Sequence, residues 1–334
     1  MTRALVTGAT GMLGRRIVER LLKAHVDVRA FVRPTSDTRG LKTLPVELVT
    51  GEAADRAAIR KAVEGTQWVF HLASDFDMGS AFRARDGLAK YHEADLCLTE
   101  GLLSAGQEVS VRRFVYASSV SVYSLDAPSP IAESAPLDPV SDYGRSKLAA
   151  EKRVGDYQQN GVPTVIVRPC IIYGPGDRHF LPTALRLARL PFLPLVDGGR
   201  YLIDLVYAGD VAELMWKASQ SDAAVGKIYN AASGAPRPLR EVLGDYRRLT
   251  GRAPRTYALS ARAFQRFAGL THRFWGKLAP GLESLLSPIG VSYMRRDVYY
   301  DVSRAQADLG YCPQVNFQQG LALSMDDAGN CSAT

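Results

Sequence analysis

Arg3-Ala4-Leu5-Val6-Thr7-Gly8-Ala9-Thr10-Gly11-Met12-Leu13-Gly14 is the stretch on which the fold turns. Arg3–Val6 is a short apolar run of strand type, and glycines at 8, 11 and 14 follow it directly. An amphipathic helical pattern begins inside the turn. In that context Gly8 permits the tight turn, Gly11 lets backbone approach a pyrophosphate, and Gly14 lets the helix lie close to the sheet. The first N–H groups of a helix have no partner within it and carry partial positive charge, which favours phosphate. Gly8, Thr10, Gly11, Met12, Leu13 and Gly14 are therefore candidate dinucleotide-binding residues.

Outward from this loop, Val26–Val32, Val46–Val49, Trp68–Leu72, Phe114–Ala117 and Thr164–Val167 also read as strands, with helical patterns between them. Strands that alternate with helices predict an α/β fold, a Rossmann-type doubly wound parallel sheet. After Pro175 the prolines at 182, 191 and 194 and the glycines at 198 and 199 break long elements. The expected division is a dinucleotide-binding domain over 1–174 and a smaller substrate-binding lobe over 175–334. Ile203–Tyr207 and the helical pattern Asp210–Ser219 are expected to return to the main sheet. Residues 250–290 carry Phe264, Phe267, Phe274, Trp275 and Leu278 among arginines, a composition that suits an amphipathic lid over an apolar pocket. Peripheral membrane attachment and a solvated helix face are the alternatives.

Composition narrows the classes. The chain has 334 residues, 46% hydrophobic and 22% charged, which excludes disorder, collagen and coiled coil. Cys97, Cys170, Cys312 and Cys331 lie far apart without metal-ligand spacing, so neither a disulfide framework nor a metal site is expected, and a cytoplasmic, reducing location is. No apolar run is long enough to span a bilayer, and no leader pattern opens the chain. The net charge of +7 is local: residues 252–300 hold eight lysines and arginines against Glu283 and Asp297. Nucleic acid is not an expected partner.

Two further positions point to chemistry. The second strand ends Phe31-Val32-Arg33, where NAD-binding folds usually place a carboxylate for the ribose hydroxyls. Arg33, with Thr35, Ser36 or Arg39, would pair with a 2′-phosphate instead, so NADP(H) is favoured and NAD(H) left open. Tyr143 and Lys147 stand four apart in a stretch, Asp142–Gln159, that reads as helix, and so share a face. A free phenol is a poor base at neutral pH, but an adjacent ammonium favours the phenolate, which can then exchange a proton with a substrate oxygen. Ser118 and Ser119 follow the predicted fifth strand, at the sheet edge where such folds bind ligands, and a serine there can orient a carbonyl.

The segments TGATGMLG at 7–14, HLAS at 71–74, YASSVSVY at 116–123, YGRSK at 143–147, RPCIIYGPGD at 168–177 and DVSRAQADLGY at 301–311 together resemble the extended short-chain dehydrogenase/reductase family over most of the chain. The resemblance implies a catalytic group of Ser119 (with Ser118 as the other register), Tyr143 and Lys147. It places Leu72, Ala73 and Ser74 on the cofactor, Ala73 near adenosine, and Pro169 and Ile172 against the nicotinamide, whose ribose Lys147 also holds. Glu52 and Ala53 stand where relatives have Asp-Leu at the adenine. Asp95 replaces a familiar asparagine, with altered structure expected there rather than lost chemistry. Paired helices at 86–106 and 142–160 imply a homodimer.

Sugar-nucleotide members carry an Asn where this chain has Ile171 and an Arg where it has Ile203, so a diphosphate would lack partners. The sequence instead resembles the branch of 3β-hydroxysteroid and sterol dehydrogenases and β-keto-acid reductases, with phenolic ketone reductases close by. Hydride transfer at a ketone or secondary alcohol on a bulky, mainly apolar substrate is the expectation. A sugar-nucleotide epimerase or dehydratase and a non-catalytic NADP-binding redox sensor are the alternatives. His71 reads as a packed strand residue, Glu133 as a loop anchor, and Arg178 and His179 as residues of the mouth.

Overall fold

The computed structural model describes residues 2–74, 92–188, 190–251, 254–264, 266 and 288–331. The first six strands are β1 (Arg3–Thr7), β2 (Asp27–Val32), β3 (Val46–Thr50), β4 (Trp68–His71), β5 (Arg113–Ala117) and β6 (Thr164–Pro169). Between them come helices α1 (Met12–Lys23), α2 (Arg39–Lys42), α3 (Arg56–Val63), α4 (Leu98–Glu108) and α5 (Asp142–Gln159), and a wide π turn over His92–Cys97 leads into α4. Side chains alternate along β1. Ala4 and Val6 join the core under α1 with Ile17, Val18 and Leu21, while Leu5 joins Phe31, Ile59, Leu102 and Phe114 on the other face. Helix starts are set by local acceptors: Asp55 Oδ1 takes the Ala57 and Ala58 N–H groups at 3.1 and 3.0 Å, and Ser141 Oγ takes that of Gly144 at 3.1 Å.

Beyond β6 the chain forms β7 (Ile171–Tyr173), α6 (Phe180–Ala188), β8 (Phe192–Val196), β9 (Leu202–Ile203), β10 (Leu205–Tyr207), α7 (Ala208–Gln220) and β11 (Ile228–Ala231). It ends with β12 (Arg237–Pro238), α8 (Leu239–Thr250), β13 (Arg255–Leu259), α9 (Pro288–Tyr293), α10 (Ser303–Leu309) and α11 (Phe317–Cys331). The seven-stranded sheet runs β3-β2-β1-β4-β5-β6-β11, parallel throughout. Its order reverses between β1 and β4, which opens a crevice at their carboxyl ends.

The expected return of 201–220 to the main sheet is half corrected. Helix α7 packs against α1 and the sheet, with Val211, Leu214 and Met215 fully buried. The strand before it does not enter the sheet. The β6 ladder closes with Cys170 N–H on Ala231 O at 2.9 Å, so β11 holds the edge place, and Leu205–Tyr207 pairs instead with β7 beyond that edge. Strand β4 stops at His71 rather than Leu72, because the N–H groups of Leu72 and Ala73 turn onto Thr7 Oγ1 at 3.2 and 3.1 Å. Of the aromatic segment, Phe264 is described and buried. Phe267, Phe274, Trp275 and Leu278 lie outside the described residues, as do 86–91 of the expected pairing helix.

Candidate active site

The glycine turn is closed to larger residues. Gly8 has φ +69°, and a Cβ on Gly14 would lie 2.0 Å from Gly8 O, inside contact distance. Gly11 caps α1 without any side-chain hydrogen bond, so the helix begins with bare backbone. A cleft of about 500 Å³ opens there, lined at this end by Gly8, Gly11, Met12, Leu13 and Gly14. An uncapped helix start beside a turn that admits no Cβ fits a nicotinamide dinucleotide's pyrophosphate.

Tyr143 and Lys147, on one face of α5, line the middle of the same cleft with Ser118 and Ser119, which follow β5. Lys147 is 2% exposed and Tyr143 8%, and the ammonium lies 5.8 Å from the Tyr143 ring centre and 5.2 Å from that of Tyr116. The two serines part company. Ser118 donates its hydroxyl to Glu151, whose carboxylate also takes Arg168 through Nε at 2.9 Å and Nη2 at 2.6 Å. Ser119, extended at φ −157°, donates to Ser121 Oγ at 3.1 Å and accepts the Ser121 N–H at 3.1 Å. Behind this layer Glu133 accepts the Asn230 N–H at 2.9 Å, so it anchors the loop to β11.

Lys147 has a partner that reading by motif missed. Asp95, fully buried in the π turn, places Oδ1 3.3 Å from Lys147 Nζ, which also donates to Ala117 O at 3.3 Å. The Ser146 hydroxyl reaches Asp95 Oδ2 at 2.8 Å. His71 sits beneath, its Nδ1 2.7 Å from Thr7 Oγ1 and its Nε2 2.8 Å from Thr99 Oγ1. Burial first, and the Lys147 charge second, hold its imidazole down at about 3, so it is a neutral packing residue. Burial pushes the Tyr116 phenol well up, with Asp95, Glu151 and Tyr143 adding to the effect.

Among the remaining sequence candidates, Leu72, Ser74, Pro169 and Ile172 line the cleft. Thr10, Ala73, Glu52 and Ala53 are not in its wall; Ala73 instead braces the turn through its N–H on Thr7. Arg33 is exposed just past β2, likewise outside the wall. Arg39 is held by Asp37, Nη2 to Oδ2 at 2.7 Å, a contact that keeps the Asp37 carboxyl well below its ordinary range.

The other half of the cleft is apolar. Leu187, Leu190, Phe192, Val242, Phe264 and Met294 line it. The wall from α8 and from the segment around Tyr293 and Met294 was missed in sequence, where only the amphipathic rhythm of α8 could have signalled it. Ile171 and Ile203 both line the cleft. Among the described residues no cluster of His, Cys, Asp and Glu could hold a metal, and no helix is long and apolar enough to cross a membrane.

A parallel sheet with its switch-point crevice, a bare glycine turn and a tyrosine–lysine pair define a dinucleotide-dependent enzyme of the short-chain dehydrogenase type. The model of the NAD dependent epimerase/dehydratase family matches residues 4–232. The chain is 31% identical to 4-hydroxy-2-methyl-3-oxo-4-farnesyl-3,4-dihydroquinoline-1-oxide ketoreductase of Stigmatella aurantiaca, over 96% of this chain and 94% of that one. It is 30% identical to 2-alkyl-3-oxoalkanoate reductase of Stenotrophomonas maltophilia, over 96% and 97%. The crystal structure of UDP-glucose 4-epimerase from Brucella ovis in complex with NAD superposes with a TM-score of 0.79 at 20% identity, covering 98% of this chain and 99% of that one. The chain belongs to the NAD-dependent epimerase/dehydratase family, the extended short-chain dehydrogenase/reductases, and is a nicotinamide-dependent oxidoreductase.

Proposed function

We propose that the protein interconverts a ketone and a secondary alcohol on a bulky, mainly apolar substrate, with NADP(H) as the preferred cofactor. The observation that carries this reading is the single cleft in which the glycine turn, Ser119, Tyr143 and Lys147 meet an apolar wall. When bound, a nicotinamide dinucleotide would supply the hydride for the carbonyl carbon or take it from the carbinol. Gly8, Gly11, Met12, Leu13 and Gly14 would hold its pyrophosphate, Lys147 its nicotinamide ribose, and Leu72, Ser74, Pro169 and Ile172 would flank it. Tyr143 gives a proton to the carbonyl oxygen in reduction and takes it back in oxidation, while the Ser119 hydroxyl orients that oxygen. Arg33 is the group for a 2′-phosphate, being exposed just past β2 and, unlike Arg39, not held by Asp37.

The names of the ketoreductase and the 2-alkyl-3-oxoalkanoate reductase support a keto substrate, and the aliphatic Ile171 and Ile203 weigh against a sugar nucleotide. On the same reading, residues 1–174 serve the cofactor and 175–334 the substrate, with α7 and β11 of the latter built onto the main sheet. A second copy pairs through α4 and α5. Cytoplasmic residence accords with free thiols at Cys97, Cys170 and Cys312.

The test is to incubate purified protein with NADPH and, separately, a ketosteroid, a β-keto acid and UDP-glucose, following cofactor absorbance and analysing products. Ketone-dependent oxidation of NADPH is expected, abolished by Tyr143→Phe with cofactor affinity kept within a few-fold. Conversion of UDP-glucose alone, or full turnover by Tyr143→Phe, would overturn the reading.

A further inference from the structure

Lys147 lies in contact range of the Tyr143 ring and has a buried counter-charge in Asp95. Asp95 reaches it from the π turn His92–Cys97, whose extra residue per turn departs from the geometry of α4 that follows. The carboxylate is completely buried and its bonds are specific: Oδ1 lies 3.3 Å from Lys147 Nζ, Oδ2 lies 2.8 Å from Ser146 Oγ and 3.5 Å from Ser74 Oγ. Ser146 stands between Tyr143 and Lys147 on α5, and its hydroxyl also lies 2.9 Å from the Tyr143 carbonyl oxygen. One carboxylate thus grips Lys147 of the acid–base pair and Ser146, which stands between its two members. An asparagine could keep these hydrogen bonds, but it would leave the ammonium's charge uncompensated.

We infer that Asp95 is a positioning residue that sets the proton affinity of Tyr143 through Lys147, by holding the ammonium against Ala117 O and cancelling much of its field at the phenol. The inference rests on the proposed acid–base role of Tyr143. An ammonium alone favours the phenolate, and an ammonium paired with a carboxylate favours it less, so the pair leaves Tyr143 a stronger proton holder. Among the described residues, the other titratable groups close to Lys147 are engaged or neutral. Glu151 on α5 is bound by Arg168 from β6, His71 on β4 is neutral, and Tyr116 on β5 is a buried phenol. Asp95, paired directly with Lys147, is the charge whose removal tests this.

The test needs no substrate. In protein labelled at the tyrosine Cζ carbon, the resonance lost in Tyr143→Phe reports ionisation of Tyr143 across pH. Asp95→Asn is expected to lower that midpoint by about one pH unit, a tenfold change in proton affinity, and Asp95→Glu to restore it. If the amide does not fold, Asp95→Ser, which keeps a hydroxyl without charge, carries the same expectation. An unchanged or raised midpoint in the folded neutral variant would overturn the inference. Turnover of the ketone by wild type, measured in parallel, separates the two claims: a lowered midpoint without turnover leaves the inference standing and removes the redox reading. Turnover with an unmoved midpoint does the reverse.

Discussion

His71 shows what one side chain contributes when its neighbours remove its charge. The folded protein keeps the imidazole neutral down to about pH 3, whereas histidine in an unfolded chain takes up its proton near 6.5. Between those values the unfolded state binds more protons, so stability is lost as pH falls from about 6.5 towards 3, by up to about 1.4 kcal/mol per pH unit, and is unaffected above. Urea unfolding at about pH 7.5 and about pH 5 should therefore separate wild type from His71→Gln, the variant losing less stability on acidification. On the proposed role of Arg33 as the 2′-phosphate group, Arg33→Asp should weaken NADPH about 2 kcal/mol more than NADH in fluorescence titrations, and an equal effect would remove Arg33 from that role. Tyr143, Lys147 and Ser119 were legible because their spacing and order are local. Asp95 stood out only as a departure from relatives, since its bond to Lys147 spans 52 residues and depends on how the π turn meets α5.

The elements explain why neighbouring residues take different tasks. Extended backbone sends successive side chains to opposite sides, so after β5 Ser118 goes to Glu151 while Ser119 bonds Ser121 at the cleft edge. In α5 the four-residue step keeps Tyr143 and Lys147 on one face, and Ser141 fixes where that face begins. The junction of β1 with α1 tolerates least. Gly14→Ala would press a methyl into Gly8 O, so we expect a loss of about 1–3 kcal/mol in stability together with loss of NADPH binding. Thermal melting and cofactor fluorescence would check both, and unaltered binding would refute the close approach. The first six strands could be read from their apolar runs within a residue or two. Ile228–Ala231 could not, because a four-residue strand with one β-branched residue carries too little pattern, and it is a strand because β6 offers an open edge.

At the scale of the molecule, the cleft joins parts that sequence leaves far apart: a turn at 8–14, a helix at 143–147, and apolar walls from α6, α8 and the segment around Phe264. Phe264, 3% exposed, packs with Val196 and Val291 at the apolar end. Phe264→Ala should lower kcat/KM for a bulky apolar ketone by about 10- to 100-fold, in line with losing ~1.5–3 kcal/mol of burial, and barely alter that for acetone. Steady-state kinetics with both ketones would decide, and equal losses would mean the wall lies elsewhere. By itself the sequence determined the parallel α/β class, the glycine turn and the tyrosine–lysine pair, because each depends on alternation or spacing within one or two adjoining elements. Only the tertiary structure decided that β11 rather than Leu205–Tyr207 completes the sheet, that α8 walls the pocket, and that Asp95 answers the charge of Lys147. Those are contests between distant segments for one edge, one surface and one counter-ion, and no local pattern records which segment wins.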